Sequence, residues 1–221
     1  MTCTTDIKAP VVQSEVQLGR YLSVQRYAGT NADHALLVHP ASADPAMEYF
    51  CTRHAALGVD VCTVPDPVGD DLHGTINQSV AVGYHIAETS ALPVFMYGAP
   101  RAAAMTYRAL QASITFNGAV LVIDAAAAGD LMRSPVDGGI TAAIPLRHNN
   151  KPILYVVAEP DQAVAHTVAE TIVRVTGGPV EVHVESVGVG RLMRTPAHSD
   201  IVLEWCLRQL NNHLTPAWRT K

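Results

Sequence analysis

The sequence predicts an α/β fold, a mostly parallel central sheet with helices on both faces. Three observations predict it. Short apolar runs of the buried-strand type recur along the chain, at Ala35-Leu36-Leu37-Val38 and over residues 93–97, 118–123 and 152–157. Segments with helical spacing separate them, so strand and helix alternate. Apolar residues make up 48% of the 221 positions and charged ones only 16%, a balance that can bury a full core.

Residues 1–14 read as a mobile N-terminal tail. Loose alternation over 12–27 around Leu18-Gly19-Arg20 reads as an opening hairpin. The first buried run follows Gly29-Thr30-Asn31. Residues 45–57 carry Met47, Phe50 and Leu57 on one side and stop at Gly58, the pattern of a helix and its end. Residues 59–64 are the next strand. A helix over 75–90 offers Ile76, Val80, Gly83 and Ile86 as contacts. A strand over 93–97, a helix over 101–112 and a strand over 118–123 follow. Residues 125–150, rich in Ala, Gly and Pro, read as irregular. Strand 152–157, helix 163–175, strand 180–185 and helix 199–213 complete the series. No repeat and no linker breaks it, so residues 1–221 read as one domain.

Composition narrows the function classes. A net charge of −5 without a basic run argues against nucleic acid as a partner. No apolar stretch reaches membrane-spanning length, and Met1 to Asp6 lack the blocks of a signal peptide. Cys3, Cys51, Cys62 and Cys206 are scattered without a Cys-x-x-Cys pair. They read as reduced core thiols in a cytoplasmic protein. The ten histidines include no His-x-x-x-His pair around a glutamate. No metal and no cofactor is expected, and an oligomer is compatible with this composition.

In a parallel sheet ligands bind beyond the carboxyl ends of the strands. Those ends are legible: His39-Pro40, Pro65-Asp66-Pro67, Gly98 to Arg101, Asp124, Glu159-Pro160-Asp161 and Gly188 to Arg191. One of them is distinctive. Pro93-Val94-Phe95-Met96-Tyr97-Gly98-Ala99-Pro100-Arg101-Ala102-Ala103-Ala104 has the outline of a Gly-x-Ser-x-Gly nucleophile elbow, with Pro100 where the serine belongs. Proline holds φ near −65° and offers no nucleophile, so the strained turn of an elbow cannot form here.

These segments resemble the α/β-hydrolase superfamily over residues 15–213. Leu37-Val38-His39-Pro40 resembles the strand ending in His-Gly that precedes an oxyanion loop, with Pro40 in place of glycine. Asp66-Pro67-Val68-Gly69 resembles the family's Asp-x-x-Gly turn. The strand 152–157 running into Glu159-Pro160-Asp161 resembles the one that ends at the triad acid, and Val187-Gly188-Val189-Gly190-Arg191 resembles the turn that carries the triad histidine. The resemblance therefore implies a three-layer fold with the matched triad Pro100, Asp161 and Arg191. Only the carboxylate of a serine–histidine–acid triad remains, since arginine stays protonated. It also implies a short or absent lid within 125–150, hence an open cleft.

Asp161, Asp124, His39 and His198 are the candidate acid–base groups. Arg101, Arg191, Tyr97, Pro100, Ala99 and Ser42 are the candidate substrate contacts. Each has a plainer alternative. Asp161 and Arg191 read as a hydrogen-bonded pair that either binds substrate or is structural. Asp124 reads as a base or as a helix cap, and Arg101 as an anion site or as solvent-exposed. His39 reads as an acid–base group or as a tie between loops. His198 reads as a replacement base or as a surface residue at a helix start. Relatives of this superfamily that lack the serine act in specialised metabolism as cyclases, epimerases or lyases. The resemblance thus implies a non-hydrolytic enzyme acting on a small-molecule, peptide or carrier-bound natural-product intermediate. A hydrolase-shaped binding or scaffold protein is the alternative, and an acyl-transfer or thioesterase-like enzyme with a displaced base stands third.

Overall fold

β1 (Val12–Leu18) and β2 (Leu22–Ala28) pair antiparallel, Val12 against Ala28 and Leu18 against Leu22. This is the expected hairpin. It takes up residues 12–14, which the sequence had assigned to a tail. The computed structural model describes residues 12–18, 22–41, 45–65, 72–132, 146 and 149–214. The expected tail up to residue 11 with Cys3, the Gly19-Arg20 turn, Ser42, the Asp66-Pro67-Val68-Gly69 turn and residues 133–145 of the expected lid segment lie outside the described residues.

Six further strands follow: β3 (Ala35–Ala41), β4 (Asp60–Pro65), β5 (Val94–Gly98), β6 (Phe116–Ile123), β7 (Ile153–Ala158) and β8 (Val180–Glu185). They join the hairpin in one eight-stranded sheet of order β1-β2-β4-β3-β5-β6-β7-β8. β2 meets β4 antiparallel, and every pairing from β4 through β8 is parallel. β5 and β7 are buried at every position. That is why their sequences run apolar without alternation. The β3–β4 register shifts between Val38 and Ala41, a span that holds Pro40, which has no N–H to give the ladder.

The helices are α1 (Pro45–Ala56), α2 (Leu72–Ser90), α3 (Ala103–Ala112), α4 (Ala125–Met132), α5 (Gln162–Val175), α6 (Val189–Leu192) and α7 (Pro196–Leu214), with a 3-10 turn over Pro100–Ala102 ahead of α3. α1 ends at Ala56, and Gly58 at φ +88° reverses the chain two residues on. Three elements differ from expectation. Residues 125–132 are helical rather than irregular, because Asp124 caps an alanine run of high helix propensity. The last helix begins at Pro196 rather than Ser199, since proline is suited to a first helical turn. The four-residue α6 was not expected.

Two cores sandwich the sheet. On one face Leu37, Met96, Leu121 and Tyr155 meet residues of α2 to α5, among them Val82, Ile86, Tyr107, Leu110 and Ile172. On the other, Leu36, Phe95, Tyr97 and Val122 meet Met47 and Phe50 of α1 and Val202 and Trp205 of α7. Gly98 sets how closely α3 approaches β5. A Cβ there would stand 2.6 Å from Thr106 Oγ1 and 2.9 Å from Thr106 Cβ.

Candidate functional site

The carboxyl ends of β5, β6, β7 and β8 lie side by side because those strands are neighbours in the sheet. After β5 the backbone stays extended through Ala99, at φ −68° and ψ 163°. The Ala99 N–H donates to the His39 carbonyl at 2.9 Å, carrying the β3–β5 ladder one residue further. Pro100 then opens the 3-10 turn, and the Ala102 N–H donates to the Ala99 carbonyl at 2.8 Å. Among the described residues only Asn31 and Ala91 are non-glycines with positive φ. The turn at Pro100 is therefore relaxed, not a strained elbow. Ala99 is buried, Pro100 half-buried and Arg101 exposed.

Three carboxylates stand on the neighbouring strand ends. Asp124 Oδ1 accepts the Ala127 N–H at 2.8 Å at the start of α4. Glu159 Oε2 accepts the Ala125 N–H of the same helix at 3.4 Å. Asp161 is the N-cap of α5, its Oδ1 accepting from Ala163 at 2.8 Å and Val164 at 3.2 Å. Each satisfies amides that a helix start leaves unpaired, and each lies at the positive end of a helix dipole. Their other oxygens make no hydrogen bond among the described residues. Glu159 is the group the sequence reading overlooked. Its place at a strand end beside Asp161 was the available signal.

The expected ion pair between Asp161 and Arg191 is absent among the described residues. The β8–α6 loop does pack on the β7–α5 loop, where a Cβ on Gly188 would come 3.9 Å from Pro160 Cγ. The Glu159 N–H also donates to the Glu185 carbonyl at 3.2 Å. Yet Asp161 uses its Oδ1 on the α5 amides, and Arg191 stands exposed on α6.

Burial corrects three other expectations. His39 is 1% exposed. Its Nε2 lies 2.8 Å from Ser79 Oγ and its Nδ1 3.3 Å from Thr106 Oγ1. The Ser79 hydroxyl donates to the Thr75 carbonyl at 2.7 Å, so it accepts from the ring. His39 is then the neutral Nε2–H tautomer, with Thr106 donating to Nδ1. Burial pushes its pKa down to about 4. It ties β3 to α2 and α3 and does not reach the edge. His198 is also fully buried, within the first turn of α7 rather than on the surface, with Nε2 2.8 Å from the Tyr97 hydroxyl. Burial, helped by His54 and His183, pushes its pKa down to about 3. Tyr97 faces the α1–α7 layer with no solvent exposure, and burial raises its hydroxyl pKa well above the ordinary value. Neither residue can touch a ligand at the edge. Ser79, Thr106 and His54, the partners and neighbours that explain these histidines, carried no sequence signal, because the contacts are long-range.

A cleft of about 30 Å³ between β2, β4 and α2, lined by Val24, Arg26, Asp60, Cys62 and Ile86, opens at the amino end of β4. Its size suits a water or two rather than a substrate. Among the described residues no three His, Cys, Asp or Glu side chains converge as metal ligands. No helix among them is long and apolar enough to cross a membrane.

No protein-family model matches the chain, and no curated protein matches it in sequence. Solved structures do match. A dienelactone hydrolase from Anabaena variabilis superposes with a TM-score of 0.64 at 13% identity, over 92% of this chain and 97% of that one. The α/β hydrolase GrgF from Penicillium sp. sh18 gives 0.64 at 12% identity, over 93% and 99%. The esterase domain of a Rhodothermus marinus protein gives 0.60 at 14%, over 90% and 98%. The fold is that of the α/β hydrolases. Pro100, Asp161 and Arg191, the residues for which the sequence resemblance implies triad positions, follow β5, β7 and β8, on one edge of the sheet.

Proposed function

We propose that this chain is a non-hydrolytic protein of α/β-hydrolase fold. It handles a small-molecule, peptide or carrier-bound intermediate of specialised metabolism at the carboxyl edge of its sheet. It acts by positioning and carboxylate assistance, without a covalent acyl intermediate. The observation that carries this reading is Pro100. The turn after β5 has neither a nucleophilic side chain nor the left-handed backbone that presents one. The buried state of His39 and His198 supports it further, since no imidazole among the candidates reaches the edge. The second oxygens of Asp124 and Asp161, unpaired among the described residues, are suited to move a proton. Arg101 and Arg191 are suited to hold an anionic group, and exposed Ala125, Ala126, Ala163 and Val164 offer apolar contact. Isomerisation, cyclisation and elimination need a substrate held in a reactive shape and one proton relocated, which such an edge can supply.

Exposure to a fluorophosphonate, followed by intact mass measurement, tests the reading. No adduct is expected, and a stoichiometric adduct mapped to the edge would overturn it.

A binding or scaffold role is the second reading. It is favoured by the fact that Asp124, Glu159 and Asp161 each already serve a helix start. With candidate intermediates in hand, Asp161→Asn and Asp124→Asn separate the two. An enzyme keeps binding and loses turnover in at least one variant. A binding protein keeps the same ligand response in both.

A further inference from the structure

Five buried side-chain atoms have no hydrogen-bond partner among the described residues: Arg53 Nε and His54 Nε2 on α1, and His198 Nδ1, Ser199 Oγ and Trp205 Nε1 on α7. All five belong to the two helices that cover one face of the sheet, whereas buried polar atoms are ordinarily paired. Two of them are imidazole nitrogens beside one aromatic ring. His54 packs on Phe50 with ring centroids 4.1 Å apart, and its Nδ1–H donates to the Phe50 carbonyl at 2.9 Å. Its Nε2 is therefore a bare lone pair. His198 lies 5.7 Å from the same ring and holds the Tyr97 hydroxyl. Tyr97 stacks on Phe50 at 4.3 Å.

Neutral imidazoles suit this apolar place. Protonated ones do not. A proton on His54 Nε2 adds a donor with no acceptor. A second proton on His198 leaves both of its nitrogens donating, with only Tyr97 to receive. Among the described residues no neighbouring group supplies a free counter-charge. α1 contributes Arg53, a cation. The segment before β3 contributes His34, whose Nδ1 lies 2.6 Å from Asp33. β8 contributes His183, paired with Glu185. α7 contributes Asp200, which is 60% exposed and already held by Arg53 at 2.8 Å. From β5 comes only the Tyr97 phenol.

We propose that the α1–α7 layer is an acid-released latch, closed while His54 and His198 are neutral and forced open when they take up protons. Burial depresses His54 to about 4 and His198 to about 3. In an opened layer each would titrate near its ordinary 6.5, so falling pH favours opening. Opening would expose Trp205 and strip Tyr97 of its partner. Tyr97 immediately precedes the Gly98-Ala99-Pro100 turn, so the edge would loosen with the layer. This inference does not depend on the proposed function.

Hydrogen exchange read by mass spectrometry on the full chain across falling pH tests it, corrected for intrinsic exchange rates. Trp205 emission in a Trp218→Phe background provides a second probe. Peptides of α1 and α7 should gain exchange, and Trp205 emission should shift red, between about pH 6 and 4, before β5 to β7 lose protection. His39 sits on the other face, so its titration would register in α2 and α3 instead. The pair His54→Gln and His198→Asn, neutral at every pH, should lower the α1–α7 onset by about one pH unit or abolish it. If the pair does not fold, His54→Gln alone should give a smaller shift of the same sign. Exchange of α1 and α7 only in step with the central strands would overturn the latch. So would an unchanged onset in a folded variant.

Discussion

Gly98 and Asp161 hold the edge in shape from two sides. A methyl group at Gly98 would press on Thr106, which donates to His39, so the disturbance would pass into the tie between β3, α2 and α3. Gly98→Ala should cost roughly 1–3 kcal/mol, read as a lower urea midpoint at unchanged slope. Asp161→Ala removes a cap with two amide bonds and should cost about 1 kcal/mol. Arg191→Met, exposed and outside any ion pair among the described residues, should stay within about 0.5 kcal/mol of the parent. A loss at Arg191 as large as that at Asp161 would mean that the two do pair. At this scale Pro100 and the capping role open to Asp124 were legible, because each follows from the residue's own covalent chemistry and its immediate neighbours. Tyr97 and His198 were not. They are separated by 101 positions, and only the packing of α7 over β5 decides that they meet inside rather than at the rim.

The junction of β2 and β4 shows how an element depends on burial asymmetry. Arg26 grips Asp60 through Nε to Oδ1 at 2.9 Å and Nη2 to Oδ2 at 2.6 Å. The Asp60 side chain is 4% exposed and that of Arg26 43%. Removing the arginine strands a buried carboxylate, whereas removing the carboxylate frees an arginine that can turn to water. Arg26→Met should therefore cost about 3 kcal/mol and Asp60→Asn nearer 1 kcal/mol, checked by chemical denaturation of both single variants and the double. Equal costs would show that Asp60 reaches solvent. The strands themselves were legible, because a strand covered on both faces must be apolar throughout and the sequence records that locally. α4 was hidden by its Ala-Gly composition, which fits a loop as readily as a short helix until Asp124 is seen as its cap. The order of strands, with β4 crossing to lie between β2 and β3, follows from pairing between distant segments, which no local pattern specifies.

For the molecule as a whole, histidine burial fixes the sign of the pH dependence. His39 and His54 fall from an ordinary 6.5 to about 4, and His198 to about 3. Between about pH 6.5 and 4 the unfolded chain therefore binds more protons than the folded one, and stability falls as pH falls through that window. Above it the contribution is fully present. A drop from 6.5 to about 4 corresponds to roughly 3 kcal/mol for a single site, a large share of the net stability of a domain. His39 lies on the opposite face of the sheet from the other two, so its share adds to theirs. His54 and His198 flank the same Phe50 ring and should not be additive with one another. The thermal midpoint should be level above about pH 7 and already declining between about pH 6 and 5, before protonation of ordinary carboxylates contributes. His39→Asn combined with His54→Gln should flatten that decline even if it lowers the midpoint at neutral pH. A parent midpoint that stays level down to about pH 5 would mean that these imidazoles reach water in the folded state, and the tie and the latch would fall together.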